Sequence, residues 1–244
     1  MIRLVAWMML AALPPLAIAQ TCDTEPSILS ATFRLSTTPA GAESPVGERT
    51  LTLWRHNDLV AHQHAGEGFA DVWNQVPTNR YHLIRQFEDA QRGIEYEPHA
   101  VPSGAAHWAS LWQLVAPGHR AALSLQSRSG QGCDRVETYV GDVDRSHQTL
   151  TWRTAYDLPQ RLVSVAADRT VTITLVDLNT DAASVRQQFD RWAGYQTTDY
   201  ADIGDNEADP FLRKMIRLGF IQHGASGFYD ASGNTLDGSR DHHH

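Results

Sequence analysis

Long hydrophobic segments are missing from this 244-residue sequence after its first twenty residues. A membrane-spanning helix needs about 20 consecutive apolar residues, so we expect no transmembrane segment after those residues are removed. Basic residues form no cluster, and acidic residues outnumber them by 28 to 20. Nucleic acids and anionic lipid headgroups are bound by basic surfaces. The sequence therefore argues against a nucleic-acid partner, and the acidic balance indicates solubility.

Catalytic and cofactor-binding motifs are also missing. The sequence contains no G-x-S-x-G, no H-E-x-x-H, no P-loop and no dinucleotide fingerprint. Glu95 and Glu97 would share one face of a strand and are candidates for a glycoside hydrolase pair, although strand glutamates at this spacing are mostly solvated. We predict no catalytic residue and no organic cofactor, and a hydrolase remains the weakest of three alternatives.

The sequence has only two cysteines, Cys22 and Cys133, and neither belongs to a C-x-x-C pair. Thiol metal sites and redox sites are built on such closer spacings. Two isolated cysteines in an exported protein usually pair, because the compartments outside the cytoplasm are oxidising. We therefore predict a structural disulfide that ties the N-terminal region to the middle of the chain.

Residues 1–19 have the organisation of a cleavable bacterial signal peptide. Arg3 provides the positive charge, residues 4–13 are apolar, and Ala17-Ile18-Ala19 presents the small residues that a signal peptidase accepts. The residues before Cys22 do not match a lipoprotein box. We expect a mature chain without a lipid anchor that begins near Gln20 and resides in the periplasm or is secreted.

Short runs of alternating apolar and polar residues dominate the region from residue 28 to residue 178. Gly, Pro, Asn and Asp turns separate these runs, which is typical of hairpin-connected strands. The pattern predicts an antiparallel meander that packs one face on helices. The runs cover residues 31–36, 51–55, 59–64, 81–87, 93–96, 122–126, 135–141, 148–152, 161–166 and 170–178.

Helical patterns occur at three places. Apolar residues at 3–4 spacing predict a short helix over residues 108–115 that Pro117 ends. Asp181 caps a predicted second helix, and Asp209-Pro210 opens a third. The predicted class is mainly β (α+β), a curved antiparallel sheet or half-barrel with a short packing helix and two C-terminal helices. Residues 20–180 form the β domain, 181–222 the helical segment packed on it, and 223–244 a flexible tail.

Five sequence stretches carry a resemblance to the LolA/LolB-like superfamily of periplasmic lipoprotein carriers, over residues 49–178. They are Arg49-Thr-Leu-Thr-Leu-Trp-Arg, Tyr81-His-Leu-Ile-Arg-Gln-Phe, Gly93-Ile-Glu-Tyr, Thr138-Tyr-Val-Gly and Leu158-Pro-Gln-Arg-Leu. The resemblance implies a curved antiparallel sheet that wraps partly around helices and encloses an apolar cavity. The long N-terminal helix expected of such carriers is missing here, and the resemblance assigns no functional residue.

Tryptophans are the candidates for a ligand pocket. A curved sheet with several indole rings on its concave face can line an apolar cavity. We predict that Trp54, Trp73, Trp112 and Trp152 line it, and Trp108 is a further tryptophan of the same region. The alternative interpretation is that these rings simply form the core.

Histidines are the candidates for a metal site. His62 and His64 are spaced to share one face of a strand, and His56 lies six residues earlier. Neutral imidazole is a suitable ligand for Zn²⁺ or Cu²⁺, with Glu67 and Asp71 as nearby oxygen donors. The alternative is a solvated strand edge. The terminal histidines, 242–244, are either a native metal-binding tail or the remnant of a purification tag.

An acidic segment precedes the last predicted helix. Five carboxylates fall within residues 199–209, at Asp199, Asp202, Asp205, Glu207 and Asp209. Ca²⁺ binds six to eight such oxygens, but the spacing does not match an EF-hand loop. Acidic residues before a helix are also stabilised by its dipole, which is the simpler interpretation.

The sequence thus predicts an exported binding or carrier-type protein. Its partner would be an apolar or amphiphilic small molecule, or a periplasmic protein, held on the concave side of the sheet. The alternative function is a periplasmic Cu- or Zn-binding protein that uses the strand and tail histidines.

Overall fold

The computed structural model describes residues 22, 25–77, 80–99, 101, 104–206 and 208–217. These residues form one open, curved sheet of 12 strands with a few short helices. All strand pairs are antiparallel except one, so the predicted mainly β class is confirmed. The predicted signal peptide and the terminal histidines lie outside the described residues.

The first six strands follow one another as a meander in which each strand pairs with the next. Their bounds are β1 Ile28–Pro39, β2 Gly47–His56, β3 Leu59–His64, β4 Phe69–Val76, β5 Arg80–Phe87 and β6 Arg92–Tyr96. Short turns make these connections, and the β2–β3 turn consists of Asn57 and Asp58 alone. Asn57 has φ +54°, a left-handed conformation that Asn adopts more readily than most residues.

The second half of the sheet is a second meander that joins the first through β1. It comprises β7 Ser124–Ser129, β8 Val136–Val143, β9 Ser146–Arg153, β10 Leu158–Val165 and β11 Arg169–Asn179. Strand β11 pairs with β1, and the last strand, β12 (Gln196–Asp199), pairs in parallel with β6. The strand order is therefore β12-β6-β5-β4-β3-β2-β1-β11-β10-β9-β8-β7.

Four α-helices pack on this sheet or connect its strands. They are α1 Ala105–Gln113, α2 Pro117–Ala121, α3 Ala182–Ala193 and α4 Pro210–Arg217, and 3₁₀ helices occur at Gly132–Asp134 and Tyr200–Asn206. Asp181 caps α3 as predicted, because its carboxylate accepts hydrogen bonds from the backbone N–H groups of Ala183 and Ser184. No helix in the described part of the chain is long and apolar enough to span a membrane.

The sheet has two differently covered faces. The inner face packs against α1 and α4 and carries the main core, which includes Phe33, Leu53, Leu83, Leu150 and Leu162. The outer face is covered by α3 over β1–β4. There Val185, Phe189 and Trp192 form a second cluster with Ala61 and Ala70.

Helix α1 ends earlier than its sequence pattern predicts. The helix stops at Gln113, and Leu114 adopts a left-handed conformation with φ +61°. Pro117 then begins α2 rather than ending α1, which suits a residue whose missing N–H costs nothing in the first helical turn.

Candidate functional site

An open cleft of about 580 Å³ lies between α1 and one end of the sheet. Four other parts of the chain meet α1 there: the segment before β1, the β2–β3 turn, the end of β4, and the turn between β9 and β10. The lining residues combine an aromatic wall with a rim of carboxylates and amides. They are Ser27, Asn57, Asp58, Gln75, Trp108, Ala109, Trp112, Gln113 and Asp157.

Helix α1 supplies the aromatic wall. Trp108 and Trp112 are four residues apart and therefore lie on the same side of the helix, with ring centroids 6.2 Å apart. Trp108 also stacks on Tyr81 at 5.4 Å, which holds its ring against the inner face of the sheet. Both indoles are only partly buried, so part of each ring is open to a ligand.

Arg55 fixes the wall to the rest of the site. Its side chain is fully buried and donates hydrogen bonds to the backbone carbonyls of Trp112, Pro26, Tyr156 and Asp157. The guanidinium carbon also lies 4.6 Å from the centroid of the Trp112 ring. Burial lowers the pKa of Arg55 to about 9, so the side chain stays charged at neutral pH. A single buried cation thus joins α1 to two of the chain segments that border the cleft.

The rim presents polar groups toward the wall. Gln113 donates a hydrogen bond to the Asp157 carboxylate, and Arg120 lies 3.5 Å from the same carboxylate. The Gln113 Oε1 atom is buried and finds no hydrogen-bond partner among the described residues. Asp58 and Asn57 sit at the tip of the two-residue turn, where their side chains are exposed.

The four predicted ligand-binding tryptophans do not share one surface. Trp112 lines the cleft, whereas Trp73 and Trp152 are each only 1% exposed and belong to the main core. Trp54 lies on the outer face, where it meets the Trp192 ring edge-on at 5.9 Å. Strand alternation explains this, because Trp54 and its neighbour Arg55 must point to opposite faces.

The predicted metal-binding histidines are also divided between the two faces. His62 and His64 share the inner face as expected, but His56 lies on the outer face, where it packs on Phe189 at 5.6 Å. The β2–β3 pairing sets this arrangement. His56 lies opposite Leu59, and residue 59 and residue 62 point to opposite sides of their strand.

The two inner-face histidines have packing partners of their own. His62 Nε2 lies 2.8 Å from the carbonyl oxygen of Leu111 in α1, and its ring meets Trp73 at 4.8 Å. Burial lowers the pKa of His62 to about 4. His64 stacks on Phe69 at 4.7 Å, and burial lowers its pKa as well.

No three His, Cys, Asp or Glu side chains among the described residues come together as a metal-binding group. Asp71, one of the oxygen donors considered, instead forms a buried bidentate ion pair with Arg85 at 2.6 and 2.8 Å. Burial alone would lower the pKa of Arg85, but the Asp71 carboxylate outweighs it and raises that pKa. Sequence reasoning missed this pair, although an Asp and an Arg opposite each other on adjacent strands are a detectable signal.

The acidic segment serves local structure in the part that is described. Asp209 accepts a hydrogen bond from the Phe211 backbone N–H at the start of α4 and pairs with Arg92 at 3.1 Å. Asp199 accepts a hydrogen bond from the backbone N–H of Ala201. Glu207 lies outside the described residues. These contacts agree with the interpretation of the segment as a helix-capping region.

The structure also places the predicted disulfide and one of the carboxylates considered for hydrolysis. Cys22 and Cys133 form the predicted disulfide. Glu95, one of the two carboxylates considered for hydrolysis, lies 2.5 Å from His82 across the β5–β6 pair. This contact places Glu95 in a hydrogen-bonded pair with His82 on the outer face.

Comparisons with known proteins give structural neighbours of low similarity. No protein-family model matches the sequence, and no curated protein matches it. The chain is similar to PNGF-II with a TM-score of 0.38 and 9% identity, over 70% of this chain and 31% of that one. It thus spans about a third of the PNGF-II chain.

Two other neighbours come from bacterial proteins. One is a chain of the MucA/MucB complex of Pseudomonas aeruginosa, with a TM-score of 0.29 and 15% identity over 64% of this chain and 53% of that one. The other is a domain described as an outer membrane lipoprotein-sorting protein from Vibrio parahaemolyticus, with a TM-score of 0.28 and 8% identity over 69% and 93%. One of these low-scoring neighbours is thus a lipoprotein-sorting domain, and none of the likenesses assigns a family to this chain or a role to one of its residues.

Proposed function

We propose that this protein is an exported binding protein that holds an amphiphilic ligand in the cleft beside α1. The observation that carries the proposal is the composition of that cleft. It has a volume of about 580 Å³ and is lined by two indole rings together with carboxylates and amides. Ligand sites of proteins have volumes of roughly 300–1,000 Å³ and combine apolar walls with a few convergent polar groups. The cleft has both properties.

The cleft differs in position from the concave pocket that the sequence predicts. The inner face of the sheet is packed with core side chains, including Trp73 and Trp152, along most of its strands. A ligand that occupied that face would have to displace them, and close-packed interiors resist such displacement. We therefore place the ligand at the strand ends, where the α1 indoles remain partly exposed.

Preorganisation supports a binding role for this cleft. Arg55 fixes the C-terminal part of α1 and the turn that carries Asp157 to the same buried guanidinium. A site whose walls are already ordered loses less entropy when a ligand binds. The mechanism is reversible burial and hydrogen bonding without a covalent step.

The location outside the cytoplasm is part of the proposal. The disulfide between Cys22 and Cys133 fits an oxidising compartment. Residues 1–19 carry the predicted export signal. A periplasmic protein partner is the alternative to a small molecule, and the experiment below distinguishes the two.

Native mass spectrometry of the mature protein, purified from a periplasmic extract without a tag, tests the proposal. We expect an adduct mass above that of the chain, lost in organic solvent and reduced in a Trp108→Ala variant. Trp54→Ala is the matched control, because it makes the same change on the outer face. Circular dichroism confirms that both variants are folded.

Two other results would contradict the placement of a small-molecule ligand in the cleft. Adduct loss in Trp54→Ala with retention in Trp108→Ala would place the ligand on the outer face. A bare chain mass in the wild type, together with copurification of a second polypeptide, would replace the small molecule by a protein partner.

A further inference from the structure

We infer that the ligand of the α1 cleft is an uncharged saccharide, stacked on the α1 indoles and held through its hydroxyl groups by the polar rim. This inference rests on the proposed function, because it specifies the ligand of the same cleft. It follows from the charge of the cleft, from the hydrogen-bonding groups of its rim and from the shape of its wall.

The wall matches a flat ring whose polar groups lie at its edge. Indole rings offer broad apolar surfaces with one polar tip, and they bind well where one side of a ligand is apolar and its edge is hydrated. Trp108 and Trp112 present two such surfaces with centroids 6.2 Å apart. A pyranose has an apolar C–H face and hydroxyls around its edge, so it can stack on one indole while its hydroxyls reach the rim.

The rim offers groups that bind hydroxyls in both directions. A hydroxyl both donates and accepts, a carboxylate only accepts, and a side-chain amide does both through different atoms. Asp58 makes no hydrogen bond or ion pair with the side chain of any described residue, and its exposed carboxylate can accept from two neighbouring hydroxyls. Asn57 and Gln75 add amides, and the buried Gln113 Oε1 still needs a donor.

An anionic ligand does not suit this cleft. Its lining contains two carboxylates, Asp58 and Asp157, and no Lys or Arg. A phosphate or carboxylate headgroup would be repelled by the exposed carboxylate of Asp58, and no lining cation would compensate for its lost hydration.

A cationic ligand is disfavoured for a different reason. Two of the groups that would bind a cation, the Trp112 ring and the Asp157 carboxylate, already have an arginine of the protein beside them. The Arg55 guanidinium lies 4.6 Å from the Trp112 ring, and Arg120 lies 3.5 Å from the Asp157 carboxylate. A second cation over the Trp112 ring would therefore be repelled by Arg55, which remains charged at neutral pH.

A simple alkyl chain would leave the rim without partners. Covering amides and carboxylates with methylene groups costs their hydrogen bonds to water, at about 1–3 kcal/mol for each buried group left unpaired. An uncharged polyhydroxylated ring avoids this cost and still uses the indole wall. Of the ligand classes considered, it alone satisfies both surfaces.

The test begins with the folded, mature protein on a broad array of uncharged glycans. The best glycan is then titrated by tryptophan fluorescence against Asn57→Gly and Asp58→Asn variants. Both changes lie in an exposed turn, and glycine accepts the positive φ of residue 57. Asp144→Asn in the exposed β8–β9 turn is the matched control. We expect each cleft variant to weaken glycan binding about tenfold or more and the control to leave it unchanged.

Lauric acid and choline serve as comparison probes for a fatty-acid and a cationic ligand. Binding of either one, lost in Trp108→Ala, with no glycan bound would overturn the saccharide inference and leave the proposed function intact. Glycan binding that both cleft variants retain would overturn the inference by placing the sugar elsewhere. Failure of all probes, together with a bare chain mass by native mass spectrometry, would overturn both proposals.

Discussion

Two arginines on the inner face are buried almost completely, and they are neutralised in different ways. Arg85 has a carboxylate partner in Asp71 at 2.6 Å. Arg55 has only backbone carbonyls as hydrogen-bond acceptors. The Arg55 charge has no carboxylate of the described residues in hydrogen-bond contact, unlike that of Arg85. Its contribution to stability therefore comes from the three chain segments that its hydrogen bonds join.

Replacing Arg55 by Met should therefore destabilise the protein by about 3 kcal/mol or more, because several buried carbonyls lose their donor together. Urea unfolding monitored by circular dichroism measures this. Arg34→Met is the matched control, since Arg34 is more than half exposed and its ion pair with Glu48 contributes little. An Arg55→Met variant that unfolds at the wild-type urea concentration would show that the four carbonyl contacts do not hold the segments together.

The imidazole of His62, which is partly buried between β3 and α1, makes the free energy of unfolding depend on pH. Its pKa is lowered from 6.5 to about 4, so between these values the unfolded chain binds a proton that the folded chain does not. Stability is then unaffected by this group above about pH 6.5 and falls as the pH decreases toward 4. The expected slope is up to about 1.4 kcal/mol per pH unit. His64 and His107, whose pKa values burial also lowers, contribute in the same direction.

Urea unfolding at pH 7 and pH 5 tests this prediction in the wild type and in a His62→Gln variant. We expect the variant to lose less stability than the wild type over this interval, because one of the groups that resist protonation is gone. Substitution of exposed His147 by Gln controls for the loss of a histidine as such. Equal losses in the wild type and the His62 variant would contradict the assignment.

Among the secondary-structure elements, the last strand depends for its attachment on the absence of one side chain. Strand β12 pairs with β6, and Gly93 lies where β5, β6 and β12 come together. A Cβ atom at position 93 would approach Gln86 Oε1 to 2.8 Å and Thr197 Oγ1 to 3.0 Å. Any residue other than glycine must push one of these neighbours away.

A Gly93→Ala substitution should therefore loosen β12 and cost about 1–3 kcal/mol of stability. Hydrogen exchange of residues 196–199 should accelerate more than that of β1–β4. Gly47→Ala in β2 is the matched control, because a Cβ atom there meets no other atom within 4 Å. Unchanged exchange of β12 in the Gly93 variant would mean that Gln86 and Thr197 adjust at no cost.

The elements that the sequence reveals are those with a local signal, such as a turn or a helix cap. Strand β3 has the predicted bounds, and the Asp181 cap begins α3 as expected. Strand β4 was not predicted, because α3 covers one face and the core the other, so Phe69, Ala70 and Asp71 are all buried and alternation disappears. Strand β12 is short and polar, and its pairing depends on a distant strand.

The candidate site was predictable only in part, because its residues are brought together by long-range strand pairing. Trp112 was identified as an aromatic ligand residue, and Trp108 belongs to the same helix pattern. The rim residues Asn57, Asp58 and Asp157 belong to ordinary-looking turns, and nothing in their local sequence shows that they meet. Their proximity depends on the register of strands that are up to a hundred residues apart, which one sequence does not encode as a pattern.

At the scale of the whole molecule, the disulfide joins the segment before the central strand β1 to the β7–β8 connection at one edge of the sheet. Cys22 precedes β1 in the middle of the sheet, and Cys133 lies between the last two strands at one edge, 111 residues later. Closing a loop of that length restricts the unfolded chain and stabilises the fold by about 4 kcal/mol in the chain-entropy model.

Reduction of this bond should therefore lower the melting temperature without changing the sheet. Calorimetry with and without dithiothreitol measures the shift, and circular dichroism at low temperature verifies that the reduced protein is still folded. A Cys22→Ser/Cys133→Ser variant provides the matched control, since its melting temperature should not respond to the reductant. An unchanged melting temperature on reduction of the wild type would contradict the prediction.

The strand order has a consequence for how the chain is assembled. The first six strands form a ribbon of consecutive hairpins, but both of its margins are completed by segments synthesised much later, β11 beside β1 and β12 beside β6. An N-terminal portion that emerges first has two unpaired strand margins, and such margins readily recruit other chains. The period between the synthesis of β6 and that of β12 is thus when this polypeptide is most exposed to aggregation, and when a chaperone would protect it most.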